Sequence, residues 1–364
     1  MKQLITRRKQ RARRRRAFVA LSVIALLFLQ TCKDKGNPVN GQGSPQGKVV
    51  FAMIDSTIGP GGIYTMNLDG TNLRAVAKPG DTVRFPQGPT GDIYILNEYW
   101  PLFYPRWSPD GKKIVSELMW AFEGYVIMLM NADGTNKHVL SKVRSAALQP
   151  QWSPEGDKFL FMRSGYLGAV FATGIVDTSG DNDRDFRIAA SAIPYLFEGD
   201  SVWFSGNYRW GPRGDIIYGI GSVNRKPPGE YIVGSNLQNE IFAFDTQTGE
   251  VLERLTRNDR DEYGFQVSPQ GDRIAFDRGI TQKARFYVLS LSTGSTDSIL
   301  LNAPISFSWN WCSEGKRIVF SMDENPNPWR ESLYLYVLEI NNPASLKKIT
   351  HFNAREPDLY IPKQ

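Results

Sequence analysis

One short motif recurs along the chain, and this repetition limits the possible folds more than any other feature. The clearest copy is Trp-Ser-Pro-Asp-Gly at residues 107–111, and the apolar pair Ile114 and Val115 follows it. The glycines at the equivalent position are Gly47, Gly111, Gly156, Gly214, Gly271 and Gly315. They lie 64, 45, 58, 57 and 44 residues apart. Periods of this length are typical of folds that repeat one small supersecondary unit.

Each repeat predicts four antiparallel strands, here called A to D. Strand A ends at the Ser-Pro pair because proline has no N–H for a sheet ladder. The glycine then allows a tight turn into strand B. A second turn follows strand C, as in Asn-Ala-Asp-Gly at residues 131–134, where Asp-Gly is a strong hairpin signal. Six such units predict an all-β, six-bladed β-propeller of four-stranded antiparallel blades over residues 47–364.

The first repeat lacks an aromatic strand A of its own before Gly47. The other end of the chain supplies a candidate, because residues 357–362 resemble residues 105–109 with one extra residue. We therefore expect this carboxy-terminal strand to pair into blade 1 and close the ring. Closure would remove the two exposed strand edges that an open array leaves.

Residues 1–31 have the features of a bacterial signal peptide. Nine Lys and Arg residues and no acidic residue precede the apolar segment 17–29, which is too short to span a bilayer comfortably. Leu-Gln-Thr-Cys at residues 29–32 resembles a lipoprotein box in which Cys32 is acylated. The alternatives are an ordinary signal peptide and an uncleaved amino-terminal anchor. Residues 32–46 are polar and rich in Gly, Asn and Pro, which predicts a flexible tether.

The predicted signal peptide also accounts for the positive charge of the chain. The whole sequence carries +6, but nine of its 43 basic residues lie in the leader. The remaining 34 basic residues face 37 acidic ones, which leaves about −3. This charge removes the usual inference from basicity to nucleic-acid binding. Beyond Cys32 the only cysteine is Cys312, so the propeller is predicted to have no internal disulfide.

The extra length of the repeats falls in the B-to-C and D-to-A connections, which share one end of the predicted ring. Segments 78–104, 191–207, 221–239 and 322–331 are long and contain several aromatic residues. Long connections on a rigid scaffold commonly bind ligands, and aromatic side chains are favoured anchors. The alternative is that these rings only cover the core. The predicted binding residues on this long-loop face are Trp100, Phe103, Tyr195, Phe197, Trp203, Tyr231 and Trp329.

The repeats resemble those of the TolB-like, PD40-type six-bladed propellers. The resemblance rests on Trp-Ser-Pro-Asp-Gly-Lys-Lys-Ile-Val at residues 107–115 and Met-Asn-Ala-Asp-Gly-Thr-Asn at residues 130–136, and it covers six copies from residue 47 onward. In that family TolB is a periplasmic partner-binding component of the Tol–Pal system. TolB has an additional amino-terminal α/β domain, for which there is no room between Cys32 and Gly47.

The resemblance therefore implies an envelope-anchored, non-catalytic binding module rather than TolB itself. Its expected partner is a protein, a peptide or a glycan of the cell envelope, and its contact with the membrane is the lipid anchor alone. Lys33 follows Cys32, and the absence of Asp at this position favours the outer membrane.

A propeller enzyme is the competing interpretation. His138 and His351 are the only histidines, and both are predicted in or beside the outermost strand D, far from the channel. The sequence has no Gly-x-Ser-x-Gly nucleophile motif. We therefore assign no catalytic residue and no cofactor. The alternative that stays open is a glycan lyase or hydrolase that uses carboxylates of the inner strands.

One acidic segment, residues 177–185, has alternating oxygen donors like those of a calcium loop. Its candidate ligands are Asp177, Asp181 and Asp183. The segment aligns with the C-to-D turn of blade 2, and it has neither the glycine position nor the closing Glu of an EF-hand. A polar hairpin tip is therefore the preferred interpretation, and calcium is a minor alternative.

Overall fold

The computed structural model describes residues 47–85, 93–98, 102–120, 124–140, 146–164, 171–186, 195–197, 200–224, 237–257, 261–278, 285–300, 305–324 and 332–362. These residues belong to one compact unit, 45–364. The predicted signal peptide, Cys32 and the predicted tether lie outside the described residues. Within the described ranges, no helix is both long and apolar enough to cross a membrane.

Strands are the regular secondary structure of the described residues, and turns connect them. The strands make six antiparallel blades. In chain order they are β1 (Lys48–Met53), β2 (Gly62–Asn67), β3 (Arg74–Ala77), β4 (Thr82–Arg84), β5 (Ile93–Ile95), β6 (Leu102–Trp107), β7 (Lys113–Trp120), β8 (Gly124–Asn131), β9 (His138–Val139), β10 (Ala146–Trp152), β11 (Lys158–Ser164), β12 (Phe171–Asp177), β13 (Arg184–Phe186), β14 (Tyr195–Phe197), β15 (Asp200–Trp210), β16 (Ile216–Asn224), β17 (Gln238–Asp245), β18 (Val251–Arg254), β19 (Phe265–Val267), β20 (Arg273–Asp277), β21 (Arg285–Ser290), β22 (Thr296–Leu300), β23 (Ile305–Trp311), β24 (Arg317–Asp323), β25 (Leu333–Glu339), β26 (Asn342–Lys348) and β27 (Ala354–Tyr360).

From the inner strand outward, the blades are β27-β1-β2-β3, β6-β7-β8-β9-β4-β5, β10-β11-β12-β13, β15-β16-β17-β18 with β14 beside β15, β19-β20-β21-β22 and β23-β24-β25-β26. This arrangement confirms the predicted six-bladed propeller.

The ring closes through the carboxy-terminal strand, as predicted. β27 pairs antiparallel with β1, with Leu359 opposite Val49 and Tyr360 opposite Lys48. The same segment also contacts blade 6, because the Ile361 N–H donates to the Ser313 Oγ at 2.7 Å. Blade 1 is thus assembled from both ends of the described chain.

The core lies between neighbouring blades, and the alternation of side chains along β1 shows why. Val49 and Phe51 pack toward blade 6, in one cluster with Val319. Val50 lies on the opposite face and packs toward blade 2 with Ile114. Successive side chains of a strand point to opposite faces, so an apolar strand can supply two inter-blade cores at once.

The turns between strands A and B repeat one hydrogen-bond pattern. The Ser153 hydroxyl accepts the Lys158 N–H at 3.0 Å and donates to Asp157 Oδ1 at 2.8 Å. Ser268 makes the same contacts in blade 5, with Arg273 and Asp272. In blade 6 the equivalent residue is Cys312, a fully buried free cysteine.

Blade 2 departs from the predicted four strands. The β4–β5 hairpin belongs to segment 78–104, which we expected on the long-loop face, but it extends the outer edge of blade 2 instead. Arg84 pairs in parallel with His138 of strand D, so strand D is not the outermost strand here. Val83 is fully buried, and Phe85 and Tyr94 pack on the same core. The hairpin therefore covers a strand edge that would otherwise be open.

Candidate binding cavity in the central channel

The inner strands of all six blades bring one polar side chain each to the central channel. In each strand this residue directly precedes the motif position that is most often aromatic. Because side chains alternate along a strand, burying that position between blades turns the preceding residue the other way. The six residues, called here the channel ring, are Arg106, Gln151, Arg209, Gln266, Asn310 and Asp358.

The channel ring lines a cavity of about 460 Å³. Turn residues of the A-to-B connections, such as Pro109, Pro154 and Pro269, form its rim. The cavity therefore opens at the short-turn end of the channel, opposite the predicted long-loop face. A volume of this order is typical of small-ligand and short-peptide sites.

Hydrogen bonds around the cavity join every pair of neighbouring blades. In order around the ring they are Trp107 N–H to Asp358 Oδ2 at 2.7 Å, Trp152 Nε1–H to the Arg106 carbonyl at 3.2 Å, Gln151 Nε2–H to the Tyr208 carbonyl at 3.1 Å, Arg209 Nε–H to Gln266 Oε1 at 3.1 Å, Gln266 Nε2–H to the Trp309 carbonyl at 3.3 Å, and Asn310 Nδ2–H to Asp358 Oδ1 at 3.4 Å. This circle holds the lining side chains in place before any ligand arrives.

Two further carboxyl groups lie deeper in the channel wall, at β-bulges of the inner strands. Tyr104 and Gln149 take positive φ values of 47° and 51° there, which turns their N–H groups toward a neighbouring side chain. The Tyr104 N–H donates to Glu356 Oε2 at 2.6 Å, and the Gln149 N–H donates to Glu117 Oε2 at 2.9 Å. Each carboxyl group thus replaces the ladder partner that a bulge removes.

Burial changes the protonation of these acids. It raises the pKa of Glu117 to about 8, with a smaller contribution from nearby Glu356. Burial also raises the pKa of Glu356 and that of Asp358, although the Arg106 charge acts against both increases. At neutral pH the Glu117 carboxyl is therefore mostly protonated. Glu356 and Asp358 lie on an inner strand, β27, as the enzyme interpretation requires, whereas Glu117 lies on β7, the second strand of blade 2.

The structure describes two of the predicted long-loop residues with their side chains. Phe103 is half-buried in β6, and the Arg355 guanidinium lies over its ring at 4.7 Å. Trp203 is half-buried in β15, opposite Ser222. The expectation that 191–207 is a connecting insert is wrong from residue 200 onward, because strand A of blade 4 begins there.

Phe103 and Trp203 belong to blades 2 and 4, so the structure does not bring them together in one blade. Tyr195 and Phe197 lie in β14, and their side chains are outside the description. Trp100, Tyr231 and Trp329 lie outside the described residues. Binding at the long-loop face therefore stays a prediction.

The acidic segment of blade 3 has the predicted hairpin geometry. The Gly180 N–H donates to the Asp177 carbonyl at 2.8 Å, as the Gly134 N–H does to the Asn131 carbonyl in blade 2. Asp183 pairs with Arg163 at 2.5 Å, while Asp181 lies at the turn. In the described part of the chain, no three His, Cys, Asp or Glu residues are grouped closely enough to hold a metal ion. The calcium alternative stays a prediction.

Sequence reasoning missed the channel ring, although the sequence contains a signal for it. The residue before the motif's aromatic position is polar in every copy, including Gln266 before Val267 and Asp358 before Leu359. A polar residue that recurs beside a buried one at each inner strand marks the channel. The aromatic residues of the longer connections are a more conspicuous signal, but they do not mark the channel.

Solved structures of known proteins are similar to this chain. TolB from Acinetobacter baumannii has a TM-score of 0.61 and 17% identity, covering 89% of this chain and 69% of that one. A protein assigned as TolB from Agrobacterium tumefaciens has a TM-score of 0.54 and 15% identity, covering 86% and 92%. An oligogalacturonate lyase from Vibrio parahaemolyticus has a TM-score of 0.44 and 14% identity, covering 83% and 86%.

The two TolB structures show that the chain has a TolB-like propeller fold. The similarity to the lyase is too low to support an argument about activity. No protein-family model matches the sequence, and no curated protein matches it.

Proposed function

We propose that this chain is an envelope-anchored, non-catalytic binding or scaffold propeller for a protein, peptide or glycan ligand. Acylated Cys32 would hold it at the outer membrane, and residues 33–46 would give the propeller reach. The observation that carries the binding function is the preorganised polar cavity at the short-turn end of a closed ring. The TolB-like fold supports an envelope role by analogy.

The geometry favours recognition because the lining groups are already fixed. The amide of Gln266 both accepts from Arg209 and donates to the Trp309 carbonyl, so its orientation is set. Little side-chain entropy is lost when a ligand binds to groups that are already ordered, and preorganisation of this kind increases affinity. The long-loop aromatic residues would form a second surface at the other end.

The second candidate is a glycan lyase or hydrolase. The observation in its favour is the raised pKa of Glu117 and of Glu356, since a carboxyl group that stays protonated near neutral pH can act as an acid. However, both residues are almost completely buried, 2% and 6% exposed, and neither lines the cavity described above. Each also accepts a backbone N–H of the next blade, which gives it a structural role.

The test is capture of an envelope partner by the purified chain and by two variants. The cavity variant carries Gln151→Ala and Gln266→Ala, and the long-loop variant carries Trp100→Ala and Trp329→Ala. We expect a partner that the wild-type chain retains and the folded cavity variant loses. Loss in the long-loop variant alone would move the site to the other face. The binding function is wrong if no partner depends on either set while a glycan is cleaved by the wild-type chain.

A further inference from the structure

Two arginine side chains share the cavity without an acidic partner. Arg106 comes from β6 of blade 2 and Arg209 from β15 of blade 4, and both line the cavity. Within the part of the chain that the structure describes, neither guanidinium group makes an ion pair. Unpaired arginines are uncommon in a partly enclosed site, because guanidinium groups pair well with carboxylate and phosphate.

Within the described residues, several N–H groups of these two cavity-lining arginines make no hydrogen bond to the chain. Arg209 donates through Nε to Gln266 and through Nη1 to Asn207 Oδ1 at 2.8 Å, which leaves Nη2. Arg106 donates through Nη1 to the Pro105 carbonyl at 2.9 Å, which leaves Nε and Nη2. None of these remaining atoms is, in the part of the chain that is described, a buried donor that lacks a partner.

Asp358, the acid of the channel ring, lies within reach of the Arg106 charge, but in the described residues it makes no ion pair with either guanidinium group. Both oxygens of Asp358 are occupied by neutral donors, the Trp107 N–H and the Asn310 amide. Burial together with the Arg106 charge lowers the pKa of Arg209 to about 9, so Arg209 stays protonated at neutral pH while lacking a counter-charge. An anion between the two guanidinium groups would supply it.

We infer that Arg106 and Arg209 form a carboxylate-binding subsite in the channel cavity, and that the carboxylate belongs to an acidic peptide segment. This inference deepens the proposed function and rests on it. A peptide is favoured because Gln151 Oε1 and Asn310 Oδ1 remain as acceptors for its N–H groups.

Two of the four tryptophan rings that line the cavity are too buried for a sugar to stack on them, because Trp107 and Trp311 are only 7% and 5% exposed. The other two, Trp152 and Trp210, are half-buried. An acidic glycan is therefore the outcome that the test must distinguish from an acidic peptide.

The test measures binding of two capped tripeptides, acetyl-Glu-Glu-Glu-amide and acetyl-Gln-Gln-Gln-amide, to the full chain by calorimetry. We expect the glutamate peptide to bind at least about ten-fold more tightly, because charge-assisted hydrogen bonds are roughly twice as strong as neutral ones. Arg106→Gln and Arg209→Gln should each remove about ten-fold of this affinity. Glutamine already occupies the equivalent position in blades 3 and 5, so the fold accommodates it.

The matched control is Arg213→Gln, which removes the same charge from a side chain that is 79% exposed on the blade 4 turn. The inference is overturned if Arg213→Gln weakens binding as much as Arg106→Gln, or if both peptides bind equally. It is also overturned if tri-galacturonate binds in an Arg106-dependent way and the glutamate peptide does not.

The melting temperature of each variant shows whether it is folded. In the described part of the chain the Arg106 side chain donates only to the Pro105 carbonyl of its own strand, so Arg106→Gln decides the question if Arg209→Gln unfolds.

This result is separable from the proposed function. An envelope partner whose capture needs Gln151 and Gln266 but not Arg106 would leave the binding function standing and remove the carboxylate subsite.

Discussion

Glu117 illustrates how one buried side chain can make the stability of this propeller depend on pH. It lies behind the channel wall with 2% of its surface exposed, and its Oε2 accepts the Gln149 N–H of blade 3. Burial raises its pKa from 4.5 to about 8. Between these two values the folded chain binds a proton that the unfolded chain has lost. The contribution of the Glu117 carboxyl group to the free energy of unfolding is therefore complete below pH 4.5 and is lost as the pH rises through 8.

We predict that Glu117→Gln removes this part of the pH dependence. The Gln amide oxygen can still accept the Gln149 N–H, and it cannot ionise. The variant should match the wild type near pH 4.5 and exceed its free energy of unfolding by about 2–4 kcal/mol at pH 9. Urea denaturation at pH 5, 7 and 9 measures the difference. Parallel profiles for the two proteins would show that Glu117 does not hold this proton.

At the residue scale, the sequence gives candidates but not their neighbours. Arg106 and Asp358 each stand before a buried position in a repeat, so both could be predicted to face the channel. The contact between the Trp107 N–H and Asp358 joins positions 251 residues apart. The hydrogen bond that Glu117 accepts likewise depends on another blade, because the Gln149 N–H comes from a bulge of blade 3. Neither the long-range pairing nor a bulge has a local sequence signal.

The A-to-B turns pack against one another around the ring, and this packing can be tested at matched glycines. Gly214 and Gly271 occupy the same turn position in blades 4 and 5, with φ values of 74° and 71°. A Cβ at Gly214 would meet nothing within 4 Å, whereas a Cβ at Gly271 would lie 2.4 Å from Cγ of Pro212 in the neighbouring turn.

We predict that Gly214→Ala lowers the free energy of unfolding by about 1 kcal/mol, because a residue with a Cβ disfavours the left-handed backbone conformation. Gly271→Ala should cost about 1–3 kcal/mol more, because the rigid Pro212 ring or the turn itself must move. Chemical denaturation of both variants gives the comparison. Equal losses would mean that neighbouring turns do not constrain each other.

At the element scale, strands with a turn signal were predictable and added strands were not. Ser153 and Gly156 mark the end of a strand by side-chain and backbone chemistry that acts over a few residues. The first part of β15, residues 200–207, was taken for a connection because a bulge between Phe204 and Tyr208 interrupts the alternation of the strand. The β4–β5 hairpin was missed because its place is set by pairing with His138 in the next repeat.

At the scale of the whole molecule, ring closure was predictable because an incomplete first repeat and a spare last strand complement each other. β27 supplies the inner strand of blade 1 and also contacts blade 6 through Ser313. The strand therefore joins the two ends of the array. Its removal should affect all blades at once, since closure removes the edges of an open array.

We predict that a chain ending at Asn353 loses cooperative unfolding, and that a synthetic peptide of residues 350–364 restores it. A peptide with Leu359→Lys is the matched control, because Leu359 is 1% exposed and packs in the core between blades 1 and 6. Thermal unfolding with increasing peptide measures the rescue. A truncated chain that unfolds cooperatively without peptide would show that β27 is dispensable.

The placement of β27 also sets the order of events during synthesis. In an open repeat array each unit can fold against its neighbour as it leaves the ribosome. Here β1 is among the first strands made, but its inner partner is the last strand described, so blade 1 must wait for nearly the entire chain. The ring can consequently close only after β27 has been made, and any process that acts on the nascent chain before then meets an open ring.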